Sequence, residues 1–203
     1  MTAVKVKICG LVRPEDVAAA VEAGADVLGF IFAASPRQLA PEQAARLTAA
    51  VPDGIIRVGL FMNQPATLVR TTLASAELDV LQFHGDEDNT FCRQFGRPFI
   101  KAISMRSEDP EREAGTYPDA VGVVLDSHAP GGAGGTGQAF DWRREVRVTQ
   151  PVWLAGGLNP DNVAEAVRRF SPYAVDVSSG VEDSPGVKNH ALIRKFIDNA
   201  RRN

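Results

Sequence analysis

The feature of this sequence that most restricts its fold is a series of eight short apolar runs, spread along 203 residues. Each run is rich in branched or aromatic residues, which is typical of a buried β-strand. The runs end 19 to 30 residues apart, which is too long for hairpins but long enough for the helical crossovers that parallel strands need. The predicted strands are Val4–Ile8, Asp26–Phe32, Ile56–Phe61, Val80–Phe83, Phe99–Ile103, Val121–Leu125, Val152–Leu154 and Ala174–Val177.

Helical periodicity occupies most of the intervals between these strands, and five segments repeat apolar residues at i, i+3 and i+4. Four of the five begin at a proline, which suits the first position of a helix. These prolines are Pro14, Pro41, Pro65 and Pro160. Gly24 is expected to end the first helix. Weaker helical patterns follow the fifth and sixth strands, at Glu108–Gly115 and Phe140–Val146.

Eight strand–helix units predict an α/β protein with a single (β/α)8 barrel. A doubly wound open sheet is the alternative, but no Gly-x-Gly-x-x-Gly motif follows the first strand, which disfavours its dinucleotide-binding form. The eight units use nearly all of residues 1–203, so we expect one domain and one site.

The charge composition indicates which classes of partner the protein can bind. Lys plus Arg number 22 and Asp plus Glu 25, for a net charge of −3, which argues against nucleic-acid or anionic-membrane binding. No run is long enough to span a membrane, and the N-terminal residues do not resemble a signal peptide. Two cysteines without metal-ligand spacing predict a reduced cytoplasmic protein with no metal. The helix faces show no extended apolar stripe, so we expect a monomer.

Cys9 lies at the end of the first strand. Strand alternation places it on one face with Lys5 and Lys7, and the apolar residues on the other. Since the apolar face must meet the helices, Lys7 and Cys9 are expected to face the barrel axis, where an ammonium would favour the thiolate. Cys9 is therefore a candidate base or nucleophile, although a lone cysteine is more often a small buried apolar residue. Cys92, within a helical segment, is expected to be structural.

Other polar residues also follow the strands, at the end of a barrel where active sites lie. Asp126 follows an apolar run and precedes a glycine-rich loop, so it is either a general acid or a helix N-cap. Arg37 suits a carboxylate, which a guanidinium binds through two hydrogen bonds, or it is a surface residue. His84 is expected to bind substrate or loop backbone, and Asp176 to point into the barrel near Lys7 or the substrate. Lys7 is a further candidate for substrate binding.

Glycine-rich segments follow the last three strands. They are Gly131–Gly137, Ala155–Leu158 and Ser178–Glu182. Any one of them alone indicates a flexible turn. Together, at the strands whose loops commonly bind phosphate in this fold, they predict a phosphate site.

These residues resemble one known family. The motifs that carry the resemblance are Lys7-Ile8-Cys9-Gly10, Ser35-Pro36-Arg37, Val58-Gly59-Leu60-Phe61, Leu81-Gln82-Phe83-His84-Gly85, Leu125-Asp126-Ser127, Gly134-Gly135-Thr136-Gly137 with Phe140-Asp141-Trp142, Leu154-Ala155-Gly156-Gly157-Leu158 and Val175-Asp176-Val177-Ser178-Ser179-Gly180-Val181-Glu182. In this order and spacing they are similar to phosphoribosylanthranilate isomerases of tryptophan biosynthesis. Gln38 departs from the family, which often has an aromatic residue after Ser-Pro-Arg, so the wall of the anthranilate pocket is expected to differ.

The resemblance implies an Amadori rearrangement of a phosphorylated aminosugar, without a cofactor. Asp126 would act as general acid on the ring oxygen and Cys9 as general base at C2′. Arg37 would hold the anthranilate carboxylate, and Asp176 would bind the sugar. The phosphate would be held by the backbones of Gly135, Gly137, Gly156, Gly157, Ser179 and Gly180.

Two other functions stay open from the residues alone. One is another phosphosugar barrel, such as an epimerase or indole-glycerol-phosphate synthase, although the lysine and glutamate pairs of a synthase are not found. The other is a phosphate-binding barrel without catalysis, which would need neither Cys9 nor Asp126.

Overall fold

Eight parallel strands form a closed barrel in the computed structural model, which describes residues 3–126 and 146–202. Each strand pairs with the next, and β8 pairs with β1 to complete the circle. The strands are β1 Lys5–Cys9, β2 Val27–Ile31, β3 Ile56–Phe61, β4 Val80–Phe83, β5 Phe99–Ser104, β6 Gly122–Asp126, β7 Val152–Leu154 and β8 Ala174–Val177. The predicted (β/α)8 barrel is confirmed, and the open doubly wound sheet is wrong.

Seven α-helices lie between and after the strands in the part of the chain that the structure describes. They are α1 Pro14–Glu22, α2 Pro41–Thr48, α3 Ala66–Ser75, α4 Asn89–Arg93, α5 Pro110–Gly115, α6 Val163–Phe170 and α7 His190–Arg201. None of them is long and apolar enough to cross a membrane. The segment predicted as helical at Phe140–Val146 lies outside the described residues, apart from Val146, which is not helical.

The prolines mark the helix starts with one exception. Pro14 and Pro41 are the first residues of their helices, and Pro65 directly precedes α3. After Pro160, however, the helix begins only at Val163, so the predicted start is wrong. Asn162 accepts a hydrogen bond from the backbone N–H of Asn159 through its side chain, at 2.8 Å, and this turn delays the helix. Gly24 follows α1 with a φ of +86°, as expected of a glycine that ends a helix.

A short hairpin after β8 is absent from the sequence prediction. A 3₁₀ turn at Ser179–Val181 leads into β9 Glu182–Ser184, which pairs in antiparallel fashion with β10 Val187–Lys188. Gly186, in the connecting turn, has a φ of +82°. The hairpin returns the chain from the last barrel strand to α7 and places two charged residues beside the barrel mouth.

The barrel separates two apolar regions. The inner one consists of residues that share the axial face of the strands, namely Val27, Val58, Ile100, Ala102, Val124, Trp153, Ala155 and Ala174. The outer one, between the strands and the helices, is larger and includes Val6 and Ile8 of β1. Alternation along β1 therefore gives the predicted division, with Lys7 and Cys9 toward the axis.

Phe83 is the centre of an aromatic cluster in the outer region. Its ring lies 5.9–6.1 Å, centroid to centroid, from four other phenylalanine rings, in tilted, stacked and edge-on arrangements. These rings belong to Phe61, Phe91, Phe95 and Phe99. Phe83 is completely buried, so it fixes β4 against β3, β5 and the segment of α4.

We therefore expect Phe83→Ala to lower the free energy of unfolding by about 3–5 kcal/mol, because a cavity replaces a ring that is packed on all sides. Urea unfolding followed by circular dichroism measures the change. Val121→Ala is the control, since Val121 is 50% exposed and should change stability by less than about 0.5 kcal/mol. Equal effects of the two substitutions would contradict this account of the cluster.

Candidate active site

One pocket opens at the carboxyl end of the barrel strands, and it encloses about 790 Å³ including its open mouth. Nine of the residues predicted for the site line it: Cys9, Arg37, His84, Asp126, Gly156, Gly157, Asp176, Ser179 and Gly180. Residues that are far apart in the sequence are therefore brought together because all parallel strands of a barrel end at the same face.

A buried ion pair lies beneath this pocket, and only its aspartate lines the cavity. The ammonium of Lys7 lies 2.6 Å from Oδ2 of Asp176 and donates a second hydrogen bond, at 2.7 Å, to the side-chain oxygen of Gln82. Lys7 has no exposed surface, so it does not line the pocket. Burial alone would lower the pKa of Lys7, but Asp176 and Cys9 outweigh it and the pKa is raised. Lys7 therefore stays an ammonium and supports Asp176 from below.

Asp176 lines the pocket, and the second oxygen of its carboxylate is not used by the ion pair. Oδ1 is buried and has no hydrogen-bond partner among the residues that the structure describes. Burial raises the pKa of Asp176 above the ordinary aspartate value, and the ammonium of Lys7 opposes that effect. A buried acceptor without a partner is unfavourable by roughly 1–3 kcal/mol, so a ligand hydroxyl at this point would be stabilising.

Cys9 lies two residues above Lys7 on the same strand face and is 4% exposed. Its apolar neighbours are Ile31, Ala33 and Leu60. Burial raises the pKa of the Cys9 thiol, and the nearby cations of Lys7 and Lys188 only partly compensate. The ammonium of Lys7 does favour the thiolate, but it does not bring the pKa of Cys9 down to the ordinary thiol value. Lys7 is adjacent, as predicted, but desolvation of the thiolate is the larger effect.

Asp126 ends β6 on the same pocket, with 6% of its surface exposed. Nε2 of His84, which follows β4, lies 3.7 Å from Oδ2 of Asp126, which is too far for a direct hydrogen bond. Asp126 is not an N-cap of any helix that the structure describes. It is a buried carboxyl group at the mouth of the barrel, facing the same cavity as Cys9.

Arg37 is not a surface residue, since it is only 7% exposed. Its Nε and Nη2 donate to the two carboxylate oxygens of Glu182, at 2.8 and 2.5 Å. The hydrogen bonds with Glu182 raise the pKa of Arg37 further, so the guanidinium is always charged. Its Nη1 takes no part in this pair. The aliphatic stem of Arg37 passes so close to Gly10 that a Cβ there would lie 2.5 Å from Cδ of Arg37.

The loops after β7 and β8 approach each other closely at one side of the pocket. Gly156 and Gly157 have φ values of +82° and +69°, a conformation that glycine adopts readily. A Cβ on Gly180 would overlap the carbonyl oxygen of Leu158, so only glycine permits this approach. Backbone N–H groups in such turns are suited to bind an anion. Gly135 and Gly137, predicted to join them, lie outside the described residues.

Three polar residues of this region had no assigned role in the sequence prediction. Gln82 faces the barrel axis on β4. It is a polar residue within an apolar strand and lies two residues before His84, a pattern that predicts a polar side chain on the axial face. The sequence indicates Glu182 only as the last residue of a motif, and no pattern singles out Lys188, which is 2% exposed. The positions of Glu182 and Lys188 depend on the hairpin after β8, which no local pattern predicted.

In residues 3–126 and 146–202, no cluster of His, Cys, Asp and Glu is arranged to hold a metal ion.

The raised pKa of Cys9 predicts how its alkylation depends on pH. With iodoacetamide, the rate of Cys9 modification should reach half its maximum above the ordinary thiol pKa of about 8.5, as measured by mass spectrometry of quenched samples. Cys92 serves as an internal control, because burial raises its pKa to about 12 and it should stay unmodified. Half-maximal modification below pH 8.5 would show that Lys7 and Lys188 outweigh burial.

Comparison with known proteins agrees with this geometry. A family model described as N-(5'phosphoribosyl)anthranilate (PRA) isomerase matches residues 6–199. N-(5'-phosphoribosyl)anthranilate isomerase of Hahella chejuensis is 53% identical over 96% of this chain and 92% of its own length.

Two solved structures, each 36% identical with a TM-score of 0.83, cover 97% of this chain and 98% of their own. One is a phosphoribosyl anthranilate isomerase in complex with reduced 1-(o-carboxyphenylamino)-1-deoxyribulose 5-phosphate. The other is a monomeric form of the dimeric enzyme from Thermotoga maritima. The chain belongs to the N-(5'-phosphoribosyl)anthranilate isomerase family.

Proposed function

We propose that this protein catalyses the Amadori rearrangement of N-(5-phosphoribosyl)anthranilate to 1-(2-carboxyphenylamino)-1-deoxyribulose 5-phosphate, a step of tryptophan biosynthesis. The observation that carries the proposal is the meeting of a thiol, Cys9, and a carboxyl group, Asp126, in one pocket beside the paired glycine turns. Membership of the isomerase family supports the same reaction.

Asp126 is proposed as the general acid. It protonates the ring oxygen of the furanose, so the C1′–O bond breaks and the anthranilate nitrogen becomes an iminium. A buried carboxyl group suits this step, because a protonated acid at the pocket wall can give its proton to the ring oxygen as negative charge develops on that atom. His84, 3.7 Å away from Asp126, is proposed to bind the substrate or to orient this carboxyl group.

Cys9 is proposed as the general base. The iminium makes the C2′ hydrogen acidic, and the Cys9 thiolate removes that proton to give an enolamine, which tautomerises to the ketone. Although burial reduces the fraction of thiolate, a thiolate with a raised pKa is a stronger base. The cations of Lys7 and Lys188 stabilise it once it forms.

The other residues are proposed to hold the substrate. Asp176 Oδ1, which lacks a partner among the described residues, accepts a hydrogen bond from a sugar hydroxyl, with Lys7 behind it. Arg37 binds the anthranilate carboxylate through its remaining donors. The backbones of Gly156, Gly157, Ser179 and Gly180 bind the phosphate, together with Gly135 and Gly137.

We further expect a monomeric protein of the reducing cytoplasm. Cys9 and Cys92 are both free and buried, as is usual under reducing conditions. Val121 and Tyr173 are the large exposed apolar residues of the described part. They precede β6 and β8, at the end of the barrel opposite the pocket.

Substituting the acid or the base tests the mechanism. Cys9→Ser and Asp126→Asn should each lower kcat by at least about 10²-fold, because each removes one proton-transfer group. The decay of the substrate's fluorescence measures the rate. Cys92→Ala is the matched control, since Cys92 is a buried residue of α4 and does not line the pocket, and it should keep near-wild-type activity in the folded protein. Wild-type rates in both Cys9→Ser and Asp126→Asn would disprove the assignment.

A further inference from the structure

Glu182 lies beside the pocket mouth, and the proposed reaction has no use for its carboxylate. It follows the 3₁₀ turn after β8, and its side chain is only 4% exposed. Burying a carboxylate is unfavourable unless it is paired. Glu182 is paired with two cations: Arg37 binds both of its oxygens, and Nζ of Lys188 lies 2.7 Å from Oε1.

The contact with Arg37 fixes the plane of the guanidinium. Two parallel hydrogen bonds, to Nε and Nη2, define an orientation in a way that a single contact does not. On its other side the stem of Arg37 lies against Gly10, where no side chain would fit. Arg37 is therefore held between the end of β1 and the hairpin β9–β10, with the Nη1 edge outside the pair.

Lys188 attaches Glu182 to the barrel. Its ammonium donates to the carbonyl oxygen of Ser178 at 3.1 Å as well as to Glu182. Arg37 and Lys188 together hold the pKa of Glu182 below the ordinary glutamate value, although burial acts in the opposite direction. The carboxylate therefore stays ionised between its two partners.

A second carboxylate anchors the same hairpin from outside the pocket. Asp16, on α1, is completely buried and accepts hydrogen bonds from the backbone N–H of Lys188, from Arg13 and from His190. Asp16 has no contact with Arg37. The two carboxylates thus support one hairpin, but only Glu182 orients the guanidinium.

We infer that Glu182 is a positioning residue, which aims the free edge of Arg37 at the aromatic carboxylate of the substrate and so makes the site selective for an N-aryl group that carries an ortho carboxylate. This inference rests on the proposed function, because it needs Arg37 to bind that carboxylate. It assigns the specificity for the aryl acid to a pair of residues, Arg37 and Glu182, of which only Arg37 touches the ligand.

The sign of the effect separates positioning from simple electrostatics. Glu182 is negative and lies beside an anion site, so its removal should strengthen the binding of a carboxylate if charge alone mattered. If Glu182 orients Arg37, its removal should weaken that binding, because the guanidinium loses the geometry for a paired contact. The two roles therefore predict opposite changes in affinity.

Calorimetric titration with two stable ligands tests the inference. One is reduced 1-(o-carboxyphenylamino)-1-deoxyribulose 5-phosphate, and the other is the same compound without its carboxyl group. Glu182→Gln should bind the carboxylated ligand at least about 10-fold more weakly than wild type, the usual effect of losing a charged hydrogen bond. Its affinity for the carboxyl-free ligand should stay within about twofold. In turnover, the same variant should raise KM more than it lowers kcat.

Two further variants separate positioning from loosening of the hairpin. Glu182→Asp keeps the charge, and hence the fold, but is one methylene too short for both contacts with Arg37, so it should show the same selective loss. Asp16→Asn is the matched control: it weakens the hairpin's other anchor and should change the affinity for both ligands by the same small factor. Thermal unfolding by circular dichroism shows that each variant is folded.

The outcomes distinguish the inference from the proposed function. Equal loss of both ligands in Glu182→Gln and Glu182→Asp, or tighter binding of the carboxylated one, would overturn the positioning role. If Arg37→Ala is selective for the carboxylated ligand and the Glu182 variants are not, only the inference fails. If wild type does not prefer the carboxylated ligand, the assigned role of Arg37 fails and the inference with it.

Discussion

The ion pair between Lys7 and Asp176 lies where the barrel closes, and the geometry of the pocket depends on it. β1 and β8 are the first and last strands of the barrel, and their register places Lys7 directly opposite Asp176. Two charges buried at this depth are tolerated only when they are paired and hydrogen-bonded. The 2.6 Å contact, together with Gln82 of β4, therefore ties three strands together inside the barrel. Cys9, the last residue of β1, and Ser178, directly after β8, come two residues later in the chain, and both line the pocket.

Strand alternation made much of this arrangement predictable from sequence. The apolar residues of β1 had to face the helices, so Lys7 and Cys9 had to face the axis, and the same alternation applies to Asp176. The strand bounds agree with the predicted ones to within one residue at each end, because period-2 patterns and turn residues are local signals. The placing of Cys9 and Asp126 in one pocket then followed from the barrel itself, since all its strands end at one face.

Local sequence patterns do not predict a pKa on which charge and burial act in opposite directions, nor a contact between residues far apart in the chain. Alternation along β1 predicts that Lys7 lies near Cys9, but not the balance between that cation and desolvation, which depends on how completely Ile31 and Leu60 enclose the thiol. The motif around Arg37 does not predict its contact with Glu182, because that contact joins residues 145 positions apart through a hairpin without a hydrophobic pattern. A proline at 160 suggested a helix start, whereas side-chain hydrogen bonds at Asn159 and Asn162 delay it.

The hairpin β9–β10 carries residues that affect both the pKa of Cys9 and the orientation of Arg37. The charge of Lys188 acts to lower the pKa of Cys9. Burial lowers the pKa of Lys188 itself, and Glu182 opposes that change. Glu182 therefore acts on two cations: it orients Arg37 through two hydrogen bonds, and it raises the pKa of Lys188 against the larger effect of burial. An anionic substrate that enters between these groups meets a guanidinium already fixed in place. Because that orientation is established in the folded protein, the entropy of ordering Arg37 is not lost when the ligand binds.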